Sequence, residues 1–365
     1  MTHQKKVIVG MSGGVDSSVA AFLLKQRGYE VEGLFMKNWE EDDNTDYCTA
    51  KADLEDAQRV SDLLKIKLHT ANFSTEYWNS VFTLFLEDYR AGNTPNPDIL
   101  CNREIKFNHF VAYAQTLGAD HIATGHYVRN DVSSDSCRLF KGQDPNKDQS
   151  YFLQYVPKRQ FEKCLFPLGN LQKTQVRSIA DAQNLHNSRK KDSTGICFIG
   201  ERRFDDFIDN YIDRSPGDIV DTKGIKLGDH QGLHRYTIGQ RRGINLGGLK
   251  DRTEAPWYVV QKQISKNRLL VSQNENDLFG QWLRVSNVNW LEEVNFPLKC
   301  QTKIRYRQPD QDCTVKLSAQ GDLAVTFKDP QRAIAKGQFA AFYDGELLLG
   351  GGRITASDIG KYNFG

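Results

Sequence analysis

The segment KVIVGMSGGVDSSVAAFLLKQRG, residues 6–28, decides how the N-terminal half of the chain folds. It starts with a short apolar run, passes through a glycine-rich loop and ends in an amphipathic run that Gly28 terminates. This order predicts a buried strand over 6–10, a loop over 11–16 and a helix from Ser17 to Arg27. Such a succession places backbone N–H groups at a helix N-terminus, which is a binding site for anions.

The alternation of apolar and amphipathic runs continues beyond this segment. Runs that predict further strands lie at 30–36, 67–73 and 121–126. Apolar residues at helical spacing lie at 50–65, 76–90 and 106–117. Strands that alternate with helices form a parallel sheet with helices on both faces, so the fold class is α/β with an N-terminal doubly wound sheet.

The pattern changes after residue 126. A hairpin with polar turns is predicted over 128–150, followed by mostly helical structure over 151–200. Glycine-rich apolar runs come next, and then short alternating strands such as DLAVTF, which indicate a closed β-barrel. We therefore expect three domains: an N-terminal domain over 1–212 that carries the loop, a small central β-containing module over 213–274, and a C-terminal β-barrel over 275–365.

Composition and cysteine usage limit the classes of function. The 365 residues include 48 Lys and Arg against 46 Asp and Glu, a net charge of +2, so a nucleic-acid surface would have to be assembled locally. The seven cysteines are odd in number and form no CxxC pair, which argues against a disulfide framework or a zinc ribbon. The N-terminus is polar, and no apolar run reaches the ~18 residues of a membrane span. These features predict a cytoplasmic protein without a membrane anchor.

The loop SGGVDSS lacks the lysine of a Walker phosphate loop, because Val15 and Asp16 stand where that lysine would be. Transfer of a γ-phosphoryl group is therefore disfavoured. The loop suits an enzyme that cleaves ATP between the α and β phosphates, with Asp16 organising Mg²⁺ or ordering the loop. Gly13 and Gly14 would permit positive φ and a close backbone approach. The alternative is a tight strand–helix turn that merely needs small residues.

Two cysteine segments carry candidate chemistry. In TPNPDILCNREIKF, residues 94–107, two prolines predict a stiff extended turn, and Cys101 follows near a helix N-terminus with basic residues close by, which favours a thiolate. Asp98 is a candidate general base or hydrogen-bond partner. In KKDSTGICFIGERRF, residues 190–204, Cys197 lies in a stretch of small polar residues. The alternative for each cysteine is simple burial in a core.

The loop resembles that of the ATP-pyrophosphatase family, which includes GMP synthetase, argininosuccinate synthetase and tRNA thiolation enzymes. With the two cysteine segments, the chain resembles the tRNA-specific 2-thiouridylase family along essentially its whole length. The strings that carry this resemblance are GMSGGVDSS, MKNWEEDD, TPNPDILCN, ATGHYVR, NKDQSYFL, KKDSTGICFIGER, TIGQRRG, PWYVV and KIRYRQ. It implies an adenine nucleotide alpha-hydrolase-like N-terminal domain that holds the catalytic residues.

The resemblance also implies which residues bind. Those that contact ATP, which comes with Mg²⁺ and without a permanently bound metal, are Gly10, Met11, Ser12, Gly13, Gly14, Val15, Asp16, Ser17, Met36 and Gly125. Those that face the target base are Asn96, Pro97 and Asp98, and those that contact the tRNA elsewhere are Lys147, Asp148, Gln149, Arg305 and Tyr306. The catalytic residues are Cys101, Cys197 and Asp98.

The implied reaction replaces an oxygen by sulfur on the wobble uridine of tRNAs for Lys, Glu and Gln. Adenylation turns the C2 oxygen of the base into a leaving group. Cys197 carries a persulfide received from a sulfur-relay protein, and Cys101 completes the transfer through a transient Cys101–Cys197 disulfide. The sequence leaves open whether sulfide or the persulfide attacks C2. The partners are then the anticodon stem-loop of tRNA and the sulfur donor, and we expect a monomer.

Other functions remain open at this point. An ATP-pyrophosphatase amidotransferase or synthetase would act on a small molecule, although no glutaminase signature is evident. A tRNA-binding protein that has lost catalysis is the other alternative. The basic runs at 189–191, 202–203, 241–242 and 305–307 are candidate RNA contacts or simply solvated surface. In KIRYRQ, strand geometry would point Arg305 and Tyr306 to opposite faces, so a shared RNA contact needs a bend.

Overall fold

The computed structural model of the chain describes residues 4–40, 50–132, 137–192, 204–246 and 254–360. Its strands are β1 (Lys6–Gly10), β2 (Glu30–Lys37), β3 (Leu68–Asn72), β4 (His121–Ala123), β5 (Val128–Val132), β6 (Cys137–Lys141), β7 (Cys164–Leu165), β8 (Gly217–Val220), β9 (Lys226–His230), β10 (Tyr258–Gln263), β11 (Arg268–Ser272), β12 (Phe279–Trp290), β13 (Leu298–Lys303), β14 (Gln311–Leu317), β15 (Leu323–Arg332), β16 (Phe339–Asp344) and β17 (Leu347–Ser357). Its α-helices are α1 (Val15–Gln26), α2 (Ala50–Leu64), α3 (Ser74–Tyr77), α4 (Thr83–Arg90), α5 (Pro97–Leu100), α6 (Phe110–Thr116), α7 (Lys173–Ala182) and α8 (Phe204–Ile208).

The N-terminal strands form a parallel sheet in the order β3-β2-β1-β4-β7. Helices α1, α2 and α7 bury Val19, Val60 and Val176 on one face of this sheet. The helices between β3 and β4 bury Phe82 and Phe110 on the other face. Apolar contacts on both faces define a doubly wound sheet, so the predicted fold class is confirmed.

Two helix boundaries differ from the sequence prediction. Helix α1 begins at Val15 rather than Ser17, because Gly14 serves as its N-cap. A helix also begins at Pro97, where an extended turn was expected. Proline is well tolerated at the first helical position, and the Asn96 side chain accepts a hydrogen bond from the Ile99 N–H at 3.4 Å as the cap.

The helix that starts at Pro97 is continuous with the one predicted at 106–117. It runs from α5 through a π-helical stretch, Cys101–His109, into α6. A similar π-helical stretch, Trp78–Phe82, joins α3 to α4. Wide π turns are frequent at functional sites, and the stretch Cys101–His109 carries Cys101.

The prediction of mostly helical structure over 151–200 is wrong for the residues that the structure describes there. Between 151 and 192, α7 is joined by the short strand β7 and by 3₁₀ turns at Ser150–Phe152 and Lys158–Phe161. Pro157, Pro167 and Gly169 interrupt any longer helix, because proline lacks the backbone donor that a helix interior requires.

The C-terminal strands close into a barrel. Their order is β12-β15-β14-β13-β16-β17, and β12 also pairs with β17, which closes the ring. The hairpin of β5 and β6 joins this barrel, with Phe140 in register with Leu347. The ion pairs Arg129–Glu346 at 2.8 Å and Lys141–Asp310 at 2.5 Å reinforce that contact. A segment of the N-terminal domain is thus part of the barrel sheet.

The central module is a four-stranded sheet in the order β10-β11-β8-β9. Its core is formed by Ile219, Leu233, Trp257, Leu269 and Val271. This module contains the β-structure that its sequence predicts. Among the helices that the structure describes, none has both the length and the apolar character to cross a membrane.

An aromatic cluster packs around Phe82, which is fully buried. The ring centroids of Trp39, Trp78 and Tyr211 each lie 4.8 Å from that of Phe82. Phe207 of α8 lies 6.0 Å away. Helix α8 and Tyr211 belong to the chain that is described from residue 204 onward, and this cluster packs them against the rest of the N-terminal domain.

We expect Phe82→Ala to lower the free energy of unfolding of the N-terminal domain by about 3–5 kcal/mol, because it leaves a cavity among fixed aromatic rings. Leu84→Ala is the matched control, since Leu84 lies in the same helical run and is 43% exposed. Urea unfolding followed by tryptophan fluorescence measures both. Equal effects of the two substitutions would contradict the role given to the cluster.

Candidate active site

The glycine loop lies at the carboxyl end of β1, where it leads into the N-terminus of α1. The helix has Gly14 as its N-cap and no side-chain cap, so its first N–H groups face the loop. The hydroxyls of Ser12 and Ser17 lie 3.2 Å apart, and those of Ser17 and Ser18 donate to the Gly14 carbonyl at 3.0 Å and 2.9 Å. Uncapped N–H groups, hydroxyls and a helix dipole together form an anion site.

Gly13 is the glycine on which the loop conformation depends. Its φ is +73°, and a Cβ atom there would lie 2.3 Å from the Asp53 carbonyl oxygen of α2. Gly14 has φ −86°, so the expectation of positive φ holds for Gly13 and is wrong for Gly14. The loop is therefore pressed against α2 at a point where only glycine fits.

Three of the residues predicted to contact ATP are not part of the loop itself but lie beside it. A Cβ atom on Gly125 would lie 2.9 Å from the Ser17 nitrogen. A Cβ atom on Gly10 would lie 3.8 Å from the Met36 side chain and 3.6 Å from Phe110 of α6. The structure thus brings Gly10, Met36 and Gly125 together with the loop at one edge of the sheet.

Asp16 accepts hydrogen bonds from residues far away in sequence. The Tyr127 hydroxyl donates to its Oδ1 at 2.7 Å, and the Lys173 ammonium donates to Oδ1 and Oδ2 at 2.7 Å and 2.9 Å. Burial, and then the neighbouring Asp16 carboxylate, raise the pKa of Tyr127 well above its ordinary value, so Tyr127 stays a donor. Asp16 is thereby held in place beside the loop.

The segment 187–192 is tied to the same loop. Asn187 donates to the Gly13 carbonyl at 3.0 Å, and Lys190 pairs with Asp53 and Asp56, each at 2.7 Å. Although burial opposes it, these two carboxylates raise the pKa of Lys190 above its ordinary value. Lys190 therefore faces the loop, whereas its neighbours in the basic run, Arg189 and Lys191, are exposed.

Asp192 is the last described residue before Cys197, and three cations surround it. Lys147 lies at 2.5 Å, Lys173 at 2.7 Å and Arg177 at 3.0 Å. Burial favours the neutral carboxyl, but the hydrogen bonds from Lys147 and Lys173 hold the pKa of Asp192 below its usual range. Lys173 connects this cluster to Asp16, so the loop and the chain leading to Cys197 share one cation.

Asp98 and Cys101 lie one turn apart at the start of their helix. Cys101 is 5% exposed, and the side chain of Asn102 donates to the Asp98 carbonyl at 2.9 Å. Burial raises the pKa of the Asp98 carboxyl, an effect that the charge of Lys106 partly opposes. A carboxyl whose pKa is raised toward neutrality is better suited to accept a proton during catalysis.

His126 connects this helix to the nucleotide side of the site. Burial, and then the charge of Lys106, lower its pKa well below the ordinary value, so the ring is neutral at pH 7. Its Nδ1 lies 2.8 Å from the Thr124 hydroxyl, and its ring centroid lies 5.7 Å from that of Phe107. Because Gly125 touches the loop while His126 packs on the Cys101 helix, consecutive residues join the two halves of the site.

The chain before Asp98 is fixed by the barrel. The Thr94 N–H donates to the Lys336 carbonyl at 2.8 Å. Gln338 donates to the carbonyls of Thr94 and Pro95 at 3.0 Å and 3.2 Å. The barrel therefore positions the turn from which the Cys101 helix starts.

The chain is similar to known proteins over nearly its whole length. Sequence models of three families match successive parts of the chain: a "tRNA methyl transferase HUP domain" over residues 5–201, a "tRNA methyl transferase PRC-barrel domain" over 205–273 and an "Aminomethyltransferase beta-barrel domain" over 281–354. A tRNA-specific 2-thiouridylase MnmA of Pseudomonas putida is 57% identical over 357 residues, which cover 97% of this chain and 95% of that protein. That of Marinomonas sp. is 56% identical, covering 97% of this chain and 92% of that protein.

The chain belongs to the tRNA-specific 2-thiouridylase family. Among solved structures, a U34-tRNA thiolase NcsA from Methanococcus maripaludis that holds a [4Fe-4S] cluster is similar at 17% identity, with a TM-score of 0.35 over 53% of this chain and 61% of that one. The three matched family models follow one another in the same order as the sheet, the central module and the barrel.

In this member of the 2-thiouridylase family, the predicted tRNA contacts lie where the barrel meets the N-terminal domain. Asp148 is buried, and its carboxylate accepts from the N–H groups of Gly142 and Ser150 at 3.0 Å and 3.1 Å and from Lys303 at 3.2 Å. The Gln149 side chain accepts from the Tyr127 N–H at 2.9 Å. These two side chains organise the turn, and the Lys147 side chain beside them remains partly exposed.

The segment KIRYRQ is a turn where a strand was expected. Strand β13 ends at Lys303, and Arg307 has φ +65°. Arg305 donates to the Ala333 carbonyl, and the ring centroid of Tyr306 lies 4.5 Å from that of Phe152. The bend that a shared RNA contact would require is therefore present, although contact with tRNA stays a prediction for Arg305 and Tyr306.

Two of the cysteines lie outside the described residues, and three partners of the loop were not predicted from the sequence. Cys197 and Cys48 fall on residues that the structure does not describe. The other cysteines expected to be bystanders, Cys137, Cys164, Cys300 and Cys313, are buried. The sequence analysis did not identify Tyr127, Lys173 and Asn187 as partners of the loop. They are separated from their loop partners by 111, 157 and 174 residues, and no local motif indicates such distant contacts.

We expect Gly13→Ala to destabilise the unliganded protein by about 1–2 kcal/mol from its left-handed backbone alone, with a further cost from the Asp53 contact. Gly14→Ala is the control, because its φ is ordinary and the Ser12 hydroxyl, 3.3 Å from the added Cβ, can rotate. Thermal unfolding without nucleotide compares them. A melting temperature for Gly13→Ala as high as for Gly14→Ala would contradict the assignment.

We expect Asp98→Asn to stabilise the fold at pH 7, because burial raises the pKa of the Asp98 carboxyl and so disfavours its ionised form. A raised pKa means that the native state binds the proton more tightly than the unfolded chain, so Asp98 supports folding below its unfolded pKa and this contribution is lost as pH rises through its folded pKa. The gain should therefore vanish near pH 3. Urea midpoints at the two pH values measure this, with Asp181→Asn, an exposed carboxylate on α7, as control. A lower midpoint at pH 7 for Asp98→Asn would refute the prediction.

Proposed function

We propose that this protein is an ATP-dependent tRNA 2-thiouridylase that replaces the C2 oxygen of the wobble uridine in tRNAs for Lys, Glu and Gln with sulfur. The proposal rests on one observation: an anion-binding loop and a helix with a buried cysteine lie at the same edge of the sheet. The anion-binding loop and the helix bearing Asp98 and Cys101 are joined through Gly125 and His126. An adenylating loop alone would suit many acceptors, and the adjacent buried cysteine favours sulfur transfer.

The first step activates the base. The C2 oxygen attacks the α-phosphorus of ATP, which forms a C2–O–AMP linkage and releases pyrophosphate with the electrons of the α–β bond. The uncapped N–H groups of α1 and the hydroxyls of Ser12 and Ser17 hold the polyphosphate. Asp98 faces the base and accepts or returns its proton.

The second step transfers sulfur. The terminal sulfur of a Cys197 persulfide attacks C2, AMP leaves with the C–O electron pair, and the Cys101 thiolate then attacks the inner sulfur of Cys197. The products are 2-thiouridine, AMP and a Cys101–Cys197 disulfide. If Cys101 attacks first, the released sulfide attacks C2 and the same disulfide results. A dithiol reductant restores both thiols, which suits a cytoplasmic enzyme.

Magnesium would enter with ATP. Asp16 is the loop carboxylate that fits it, because Mg²⁺ in nucleotide sites is bound by one or two carboxylates together with phosphate oxygens. When bound, the ion neutralises phosphate charge. Across the described ranges, no group of three or more His, Cys, Asp or Glu side chains is placed to hold a metal.

The proposed partners are the anticodon stem-loop and a persulfide donor protein. Wobble bases are read after they leave the stack, and the turn that leads to Asp98, where such a base would bind, is held by Gln338 of the barrel. The protein would act as a monomer, with Arg305, Tyr306 and Lys147 near the domain junction as tRNA contacts and Asn96 and Pro97 near the base.

Mass spectrometry of nucleosides tests this function. Unmodified glutamate tRNA is incubated with the protein, ATP, Mg²⁺ and an enzymatic persulfide donor. We expect an oxygen-to-sulfur mass shift on the wobble uridine that requires ATP and is lost in Cys197→Ser and Cys101→Ser. Cys137→Ser is the control, because Cys137 is buried in the hairpin and burial raises its pKa to about 11.

Three outcomes separate the alternatives. Full turnover by Cys197→Ser would refute the persulfide role. AMP release that depends on a small molecule and is independent of tRNA would favour an amidotransferase or synthetase. Tight tRNA binding without any ATP cleavage would favour a binding protein that has lost catalysis.

A further inference from the structure

The loop lacks a lysine of its own, but a lysine from another element reaches it. In Walker loops the lysine contacts the β and γ phosphates and balances their charge. Here Lys173, the first residue of α7, places its Nζ 2.7 Å and 2.9 Å from the two carboxylate oxygens of Asp16. Asp16 is in the first turn of α1, immediately beside the uncapped N-terminus. The Lys173 ammonium therefore lies next to the anion site.

The surroundings allow this ammonium to change partners. Besides Asp16, it contacts Asp192 at 2.7 Å. Asp192 keeps Lys147 at 2.5 Å and Arg177 at 3.0 Å, and Asp16 keeps the Tyr127 hydroxyl at 2.7 Å. If Lys173 turned toward a ligand, Asp192 would keep two cations, and Asp16, whose side chain is 31% exposed, would keep a hydrogen bond from Tyr127, which limits the cost of breaking this partly buried ion pair.

The charges of the cluster are balanced in the absence of a ligand. Three cations, Lys147, Lys173 and Arg177, face three carboxylates, Asp16, Asp192 and Asp144, of which Asp144 accepts from the Lys173 backbone N–H at 2.9 Å. The cluster therefore presents no excess negative charge to a polyanion, and the adjacent N-terminus of α1 is partly positive. The Lys173 side chain is 12% exposed, so its field is less screened than that of a surface lysine.

We propose that Lys173 is a ligand of the pyrophosphate half of ATP and supplies from α7 the cation that the loop does not contain. Its three N–H donors suit bridging phosphate oxygens. The proposal rests on the proposed function, because it assumes that ATP is cleaved between the α and β phosphates. The competing explanation is a purely structural ion pair that fastens α7 to α1.

Calorimetric binding to the full-length protein separates the two explanations. The probes are inorganic pyrophosphate, α,β-methylene-ATP and AMP, each with Mg²⁺, and the variants are Lys173→Met and Lys173→Arg. We expect Lys173→Met to weaken pyrophosphate and the ATP analogue by about ten-fold or more, the loss of one charge-assisted hydrogen bond. AMP should change by less than two-fold, and Lys173→Arg should recover part of the loss.

Lys6→Met is the matched control. Lys6 pairs with Glu32 at 3.0 Å with a 19% exposed side chain, and it lies at the opposite end of β1 from the loop. It should lower the melting temperature as any lost ion pair does, and leave the affinity for pyrophosphate unchanged. This variant shows what removal of a structural lysine does.

The outcomes distinguish failure of this inference from failure of the function. If the wild-type protein binds the analogue and thiolates tRNA but Lys173→Met binds pyrophosphate as tightly, the inference is wrong and the function stands. A Lys173→Met variant that loses AMP and pyrophosphate equally also overturns it, because the loop itself has then been disturbed. If the wild-type protein binds neither probe, ATP cleavage at this loop and the inference fail together.

Discussion

The site depends on a helix whose N-cap residue has no side chain. Helix α1 starts after Gly14, which has no side chain to accept its first N–H groups, and Gly13 can adopt its conformation only because it lacks a Cβ atom. A helix start of this kind is stable only when something else fixes the chain around it. Asp53, Asn187 and Gly125 do so by packing against the loop or bonding to its carbonyl groups, so the open donors remain directed at an anion.

The barrel contributes to the same site through the chain path. After Tyr127 bonds to Asp16, the hairpin of β5 and β6 leaves the loop and joins the barrel sheet. The barrel in turn holds the turn before Asp98 through Gln338, and Lys303 bonds to the buried Asp148. The barrel therefore positions both the nucleotide side and the cysteine side of the site. A tRNA that contacts the barrel would contact the domain that holds both in place.

The sequence allowed prediction of those features that local pattern determines. The parallel strands, the loop and the barrel follow from periodicity, and the loop chemistry follows from its glycines and its missing lysine. What failed is a place where one segment satisfies two local rules: Asn96 before Pro97 stays extended, with φ −126° and ψ 91°, and it also caps a helix that begins at Pro97. The ionic contacts of Asp16 could not be predicted, because Tyr127 and Lys173 are 111 and 157 residues away and no pattern links them.

The basic runs show why charge along a sequence is a poor guide to an RNA surface. Lys190 turns inward to Asp53 and Asp56, and Arg305 bonds to a backbone carbonyl, while Arg189, Lys191 and Arg307 are exposed. Lys190 is already neutralised by its two carboxylates and would release no counterions when RNA binds, whereas Arg305 donates to an uncharged carbonyl and keeps its charge. The salt dependence of tRNA binding should therefore not include a contribution from Lys190. A net charge of +2 therefore does not measure the surface that RNA meets, because part of the positive charge is paired inside the fold.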